Sequence, residues 1–179
     1  MKRPVTVLIT LAVALVTAVV AAPQSVAAQP YCGLRWGSLP KVVTTGSAAE
    51  VVGIRAGRHA CFDRLVVDLS GKASGYFVGY VDQVRRDGSG DVVPLAGGAR
   101  LEVVVTAPST PTDAIFIGRG TDVVDVTGYR TFRQAAFAGS FEGQTTLGLG
   151  VRARLPFRVF VLDGPGSGSR VVLDVAHRW

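Results

Sequence analysis

Tyr129, Arg130, Phe132 and Arg133 stand within five residues of one another, and Arg152 and Arg154 alternate with Val151, Ala153 and Leu155 further on. On an extended strand that alternation turns both downstream arginines to one side. Arg130 and Arg133 flank a Gly128-Tyr129 turn that can lie beside it. The chemistry these types suit is anion recognition: guanidinium forks grip carboxylates or phosphates in pairs of hydrogen bonds, and flat aromatic faces stack on sugar rings. The spacing therefore predicts one electropositive face from Arg130, Arg133, Arg152 and Arg154 with Tyr129 at its edge. The competing reading of the same residues is that Phe132 belongs to the core and the arginines are simply solvated.

Catalytic patterns are thin. The string Gly139-Ser140-Phe141-Glu142-Gly143 sets its serine next to the first glycine and lacks the spacing of a nucleophile elbow. No His-Glu-x-x-His string occurs, so a metal site would have to draw on His59 and His177, far apart in sequence, with a carboxylate such as Asp174. Isolated histidines near strand ends are more often just hydrogen bonded. Asp122, Asp125 and Glu142 can converge as a carboxylate set, but with 13 acidic residues in the chain some proximity carries no meaning. The expectation is a protein that is not an enzyme and holds no metal or cofactor.

The elements that must position these residues start after an export signal. Lys2 and Arg3 give a positive start, Val5 to Ala22 form an uncharged run of 18 residues, and Ser25-Val26-Ala27-Ala28 offers small residues for cleavage. The run approaches membrane-spanning length, so retention as an anchor is the alternative. Its alanine content, Pro23 and the small-residue exit favour cleavage after Ala28, giving a signal peptide over 1–28 and one domain over 29–179. Cys32 follows Gln29-Pro30-Tyr31, which is not a lipid-attachment string. Beyond Ala22 no apolar run is long enough to span a membrane.

Of the 19 cationic residues 16 are arginine, and the net charge of +6 falls to +4 once Lys2 and Arg3 leave. That mild basicity, export, and the absence of an Arg/Lys-rich run or an aromatic nucleic-acid motif exclude nucleic acid as the expected partner. Cys32 and Cys61 are the only cysteines, and in an oxidising compartment they are expected to pair, tying the N-terminal segment to the first strong strand.

From Glu50 onward, short runs of Val, Ile, Leu, Phe and Tyr are divided by Gly, Pro, Ser and Asp clusters at intervals of about 8 to 12 residues, which predicts an all-β sandwich or barrel. Strands are expected at Arg64–Leu69, Gly75–Val84, Ala99–Ala107, Thr121–Tyr129, Arg133–Ala138, Thr145–Leu155, Phe157–Leu162 and Arg170–Val175. Thr131–Ala138 alternatively holds one helical turn. Asp87-Gly88-Ser89-Gly90 reads as a tight hairpin followed by a short return strand. In the first strand Leu65, Val67 and Leu69 should face the core, with Arg64, Val66 and Asp68 facing water. Arg64-Leu65-Val66-Val67-Asp68-Leu69 is echoed by Arg170-Val171-Val172-Leu173-Asp174-Val175. Within either string the Arg and Asp are roughly 13 Å apart along an extended chain, too far to bond each other. A cross-strand pair such as Arg64 with Asp174 in antiparallel neighbours is the plausible use.

Three stretches carry a family resemblance: His59 to Leu69, Gly128 to Gln134, and Arg170 to Trp179. In that order they resemble the AMIN-like domain of actinobacterial secreted proteins and lipoproteins, a relative of the AMIN domain. The resemblance implies a β-sandwich of two small, mostly antiparallel sheets. It further implies a secreted module of the cell envelope that binds peptidoglycan or other envelope components, and the arginine-rich face points to an anionic wall polymer; apart from the resemblance, the alternatives are an envelope protein as partner and, remotest, a wall-directed hydrolase.

Overall fold

The computed structural model describes residues 31–46, 49–73, 75–109 and 122–179. The segment read as an export signal lies outside the described residues, as does Thr121. Among the described residues no helix is long and apolar enough to cross a membrane.

Two sheets dominate, and every pairing in them is antiparallel. The first runs in the order β1 (Lys41–Val43), β4 (Tyr76–Val81), β7 (Ala99–Val105), β9 (Gln144–Val151), β8 (Phe132–Phe141). The second runs β10 (Phe157–Asp163), β11 (Ser169–Ala176), β3 (Phe62–Leu69), β2 (Val51–Arg58). Alternation builds the core between them. Leu65, Val67, Leu69, Val171 and Leu173 from one sheet join Val78, Leu101, Val103, Leu147 and Leu149 from the other in a single buried cluster.

A short hairpin, β5 (Val84–Arg85) with β6 (Val92–Val93), turns through the Asp87–Gly90 segment as its turn residues predict. Val84, Val93 and Leu95 pack with Ala136 and Ala138 of β8 in a second, smaller core. The sequence of β9 is shaped by this layer. A Cβ on Gly148 would lie 2.7 Å from Leu95 Cδ1, and one on Gly150 would lie 2.0 Å from the Ala96 carbonyl oxygen. Alternation of leucine and glycine in Leu147-Gly148-Leu149-Gly150 thus seats large side chains in the core and clears the opposite face for the hairpin.

Several expectations need correction. Residues 122–129 form no strand, only an isolated bridge between Asp122 and Ala136. The Asp125 carboxylate accepts from the Thr127 amide and Gly128 sits at φ 78°, both turn features, while Val123 and Val126 plug the core from an irregular segment. β9 ends at Val151 rather than at Leu155, and the Gly75–Val84 run is broken after Val81. Thr131 to Ala138 has no helical turn, because β8 pairs along its length with β9. β1 and β2 were not expected: β1 is only 3 residues long, and two glycines interrupt the alternation of β2. Glu142 and Gly143, both at positive φ, form the β8–β9 turn, with Glu142 exposed at its tip.

The echoed strings are adjacent antiparallel partners: Arg64 lies opposite Asp174 and Arg170 opposite Asp68. Arg64 grips Asp174 with Nε at 2.6 Å and Nη2 at 2.9 Å, the cross-strand pair that spacing suggested. The outer face of this sheet is less solvated than alternation implies. Val66 is 9% exposed, Val172 1% and Asp174 0%. Arg158 Nε also reaches Asp174, at 2.8 Å, and the two guanidiniums lie against the rings of Trp36, Phe62 and Phe160. Long cationic side chains therefore roof the face.

Candidate anion-binding site

Asp63 occupies a position where β3 would otherwise carry an apolar core residue, and its carboxylate is fully buried. A buried charge needs compensation. Oδ2 accepts from the backbone amides of Thr131 at 2.5 Å and Phe132 at 3.2 Å, and Oδ1 lies 3.1 Å from His177 Nε2. The His177 amide donates to the Cys61 carbonyl and Thr131 Oγ1 donates to the Ala176 carbonyl. One carboxylate thus fastens the start of β3, the entry to β8 and the exit of β11 at one end of the sandwich. With Nε2 directed at Asp63, the other imidazole nitrogen, Nδ1, is buried without a hydrogen-bond partner among the described residues.

Around this knot the chain sets out cations. Arg130 immediately precedes the clamped Thr131, and its Nη1 donates weakly, at 3.4 Å, to the Ala60 carbonyl. Arg152 follows β9; its amide donates to the Thr131 carbonyl and its Nη2 to the His177 carbonyl. Arg178 extends from His177, with its guanidinium 4.9 Å from the Tyr31 ring. Tyr31 is held there by a 3₁₀ turn (Tyr31–Gly33) that the Cys32–Cys61 disulfide fastens beside β3. Tyr31, Arg130, Arg152, His177 and Arg178 line one recess. Among the described residues the ion pairs made by arginine are Arg55–Asp68, Arg64–Asp174 and Arg158–Asp174, so none of these three arginines is neutralised by a carboxylate of those residues.

Two of the four arginines expected on one face are brought together here, Arg130 and Arg152. Because β9 stops at Val151, strand alternation does not carry on to Arg154, which turns away to the Ser38 carbonyl, stacks at 4.8 Å on Tyr80 and lines a different recess with Asp82 and Arg100. Arg133 folds back so that Nη1 donates to the carbonyls of Tyr129, Arg130 and Phe132, and it lines a third recess beside Asp122 and Asp125. Tyr129 stacks on Phe132 and beneath Arg58, and Phe132 itself is 1% exposed in the core, as the competing reading held. Sequence reasoning missed Tyr31, Asp63, His177 and Arg178 as neighbours. The available signal was Asp63 at a core register position directly before the Arg64 strand, since a charge there needs partners from elsewhere.

The other candidate sets are dispersed. His59 stacks on Phe62, His177 faces Asp63 and Asp174 is taken by two arginines, so the three residues named for a metal have separate partners. No group of three or more metal-ligating side chains forms among the described residues. Of the three carboxylates that sequence grouped, Asp122 and Asp125 do line one recess, where Asp122 accepts from Gln134 Nε2 at 2.7 Å, whereas Glu142 stands apart at the tip of the β8–β9 turn.

A family model described as the AMIN-like domain matches residues 49–177, which takes in Asp63, Arg130, Arg152 and His177 and stops one residue short of Arg178. No curated protein matches the chain.

Proposed function

The chain belongs to the AMIN-like domain family, and from that premise we propose that it is an exported, non-catalytic envelope module that binds peptidoglycan or another anionic wall component. The family suggests a cell-wall-related module, and the Cys32–Cys61 disulfide is consistent with an extracytoplasmic one. The observation that carries the finer reading is the recess in which Arg130, Arg152 and Arg178 converge without a neutralising carboxylate from the described residues. Clustered cations of this kind attract a polyanion and hold its acidic groups by charge-assisted hydrogen bonds. Co-sedimentation with purified cell walls at low salt tests it: residues 29–179 should pellet with the walls and be released as salt rises. Protein left in the supernatant with walls and with soluble muropeptides alike would sink the proposal.

A second reading has one observation in its favour. β10 is an edge strand, and its Val161 and Leu162 are 39% and 37% exposed. An envelope protein could pair with that edge. Cross-links in cells that map to β10 rather than to the recess would support this reading over wall binding.

A further inference from the structure

We propose that the recess formed by Tyr31, Arg130, Arg152, Arg178 and His177 is a site for a phosphate monoester. The inference rests on the wall-binding reading only for where that group is met. The molecule supplies its own standard for a carboxylate: Asp174 is saturated by two guanidiniums, Arg64 with Nε and Nη2 and Arg158 with Nε. The recess offers three, delivered from three separate chain segments around a common hollow. Of Arg152 only Nη2, and of Arg130 only Nη1, is engaged with backbone, so most of the N–H groups remain to be given. An anion with more oxygens than a carboxylate uses that surplus, and a phosphoryl group has three beyond its ester link.

His177 narrows the choice among such anions. Its Nε2 faces Asp63, which fixes a proton on that nitrogen, and Nδ1 on the ring's other edge is buried with no partner among the described residues, open to a ligand. The groups around the imidazole are Asp63 from β3, Arg130 from the entry to β8, Arg152 from the exit of β9, and Arg178 and Tyr31 at the mouth; none of these is placed as a donor to Nδ1. All three arginines are exposed and can swing onto a ligand that settles over the histidine. A phosphate monoester, with a second pKa of about 6, carries a P–OH that Nδ1 can accept while its remaining oxygens take the guanidiniums. Sulfate has a similar shape but no proton to give. A carboxylate lacks both the proton and the extra oxygen.

Titration calorimetry at pH 6 with glucose 6-phosphate, sulfate and acetate, on residues 29–179, tests the assignment. Saturable binding of the phosphate, about tenfold tighter than sulfate and tighter still than acetate, is expected, the increment being that of one hydrogen bond to a charged group. His177→Gln retains an amide that can donate to Asp63 and removes Nδ1, so it should bring phosphate and sulfate to within about twofold of each other. Arg130→Ala with Arg178→Ala, both at exposed positions, should weaken phosphate by at least about tenfold without altering the β-rich circular dichroism, and serves if His177→Gln does not fold. Vesicles containing phosphatidic acid form a parallel arm: binding there equal to that of the sugar phosphate assigns the group to a lipid head, and binding of the sugar phosphate alone assigns it to a wall saccharide. Equal affinity for sulfate or acetate, no saturable phosphate binding, or an unchanged arginine double variant would overturn the proposal. Walls that still retain a protein blind to phosphate would leave the envelope role standing and remove only this site.

Discussion

Asp63 and Asp174 are both fully buried carboxylates, and each is compensated in its own way. Backbone amides and an imidazole serve Asp63; two guanidiniums serve Asp174. Removing one side of a buried pair costs more than the pair contributes, because the other side is left without its counter-charge. Asp174→Asn should therefore lower stability by about 3 kcal/mol in urea unfolding, whereas Arg158→Ala, which leaves Arg64 in place, should cost about 1 kcal/mol. Equal costs would mean that the guanidiniums are held by their aromatic neighbours rather than by the carboxylate. Glu102 presents the reverse situation. Burial, and after it the charge of Asp87, raises its carboxyl above the ordinary range. A carboxyl raised in the folded state contributes stability that is complete below its unfolded value and is lost as pH rises through the folded value. Glu102→Gln should accordingly be more stable than the parent at pH 7, with the difference closing as pH falls below about 4. A gap that stays constant over that range would show that ionisation of Glu102 costs the fold nothing.

At the scale of elements, legibility followed alternation. β3, β7, β10 and β11 were readable because one face of each is apolar at every second residue, and the Arg64–Asp174 partnership was readable because two Arg-to-Asp strings fit an antiparallel register. The failures share a cause: segments whose place is set by tertiary contacts. Val123, Val124 and Val126 look like a strand, yet the chain uses Val123 and Val126 as plugs from an irregular segment turned by Asp125. Arg152 and Arg154 look like one face of β9, yet the strand has ended before them. Half of the anticipated cationic cluster dissolved for that reason, and its replacements, Tyr31 and Arg178, come from opposite ends of the described chain, a proximity no spacing rule reveals. The disulfide is what places Tyr31. In the chain-entropy view a loop closed over a sequence separation of 29 stabilises by about 3 to 4 kcal/mol. Cys32→Ser with Cys61→Ser should lower the melting temperature by roughly 10 °C while leaving the β-rich circular dichroism in place. An unchanged midpoint under oxidising conditions would show the bond to be dispensable.

For the whole molecule, the two sheets meet the recess at one end, where Asp63 lies opposite Val175 and Phe132 opposite Val151. The knot around Asp63 ties both sheets together beneath the cations. A fixed base of that kind keeps the three arginines around one hollow while their exposed ends stay free to meet an anion. It also makes the site separable by mutation from the general positive charge of the surface. Arg85 and Arg86 offer the comparison: they belong to the β5–β6 hairpin, and Arg85 donates to Gly90 and Gln83 there. Arg130→Glu with Arg152→Glu changes the net charge by the same amount as Arg85→Glu with Arg86→Glu, which makes wall co-sedimentation of the two double variants at low salt the most direct measurement. The recess pair should lose roughly tenfold or more of the parent's retention and the hairpin pair should stay within about twofold of it. Equal losses from both, or full retention by the recess pair, would contradict the account.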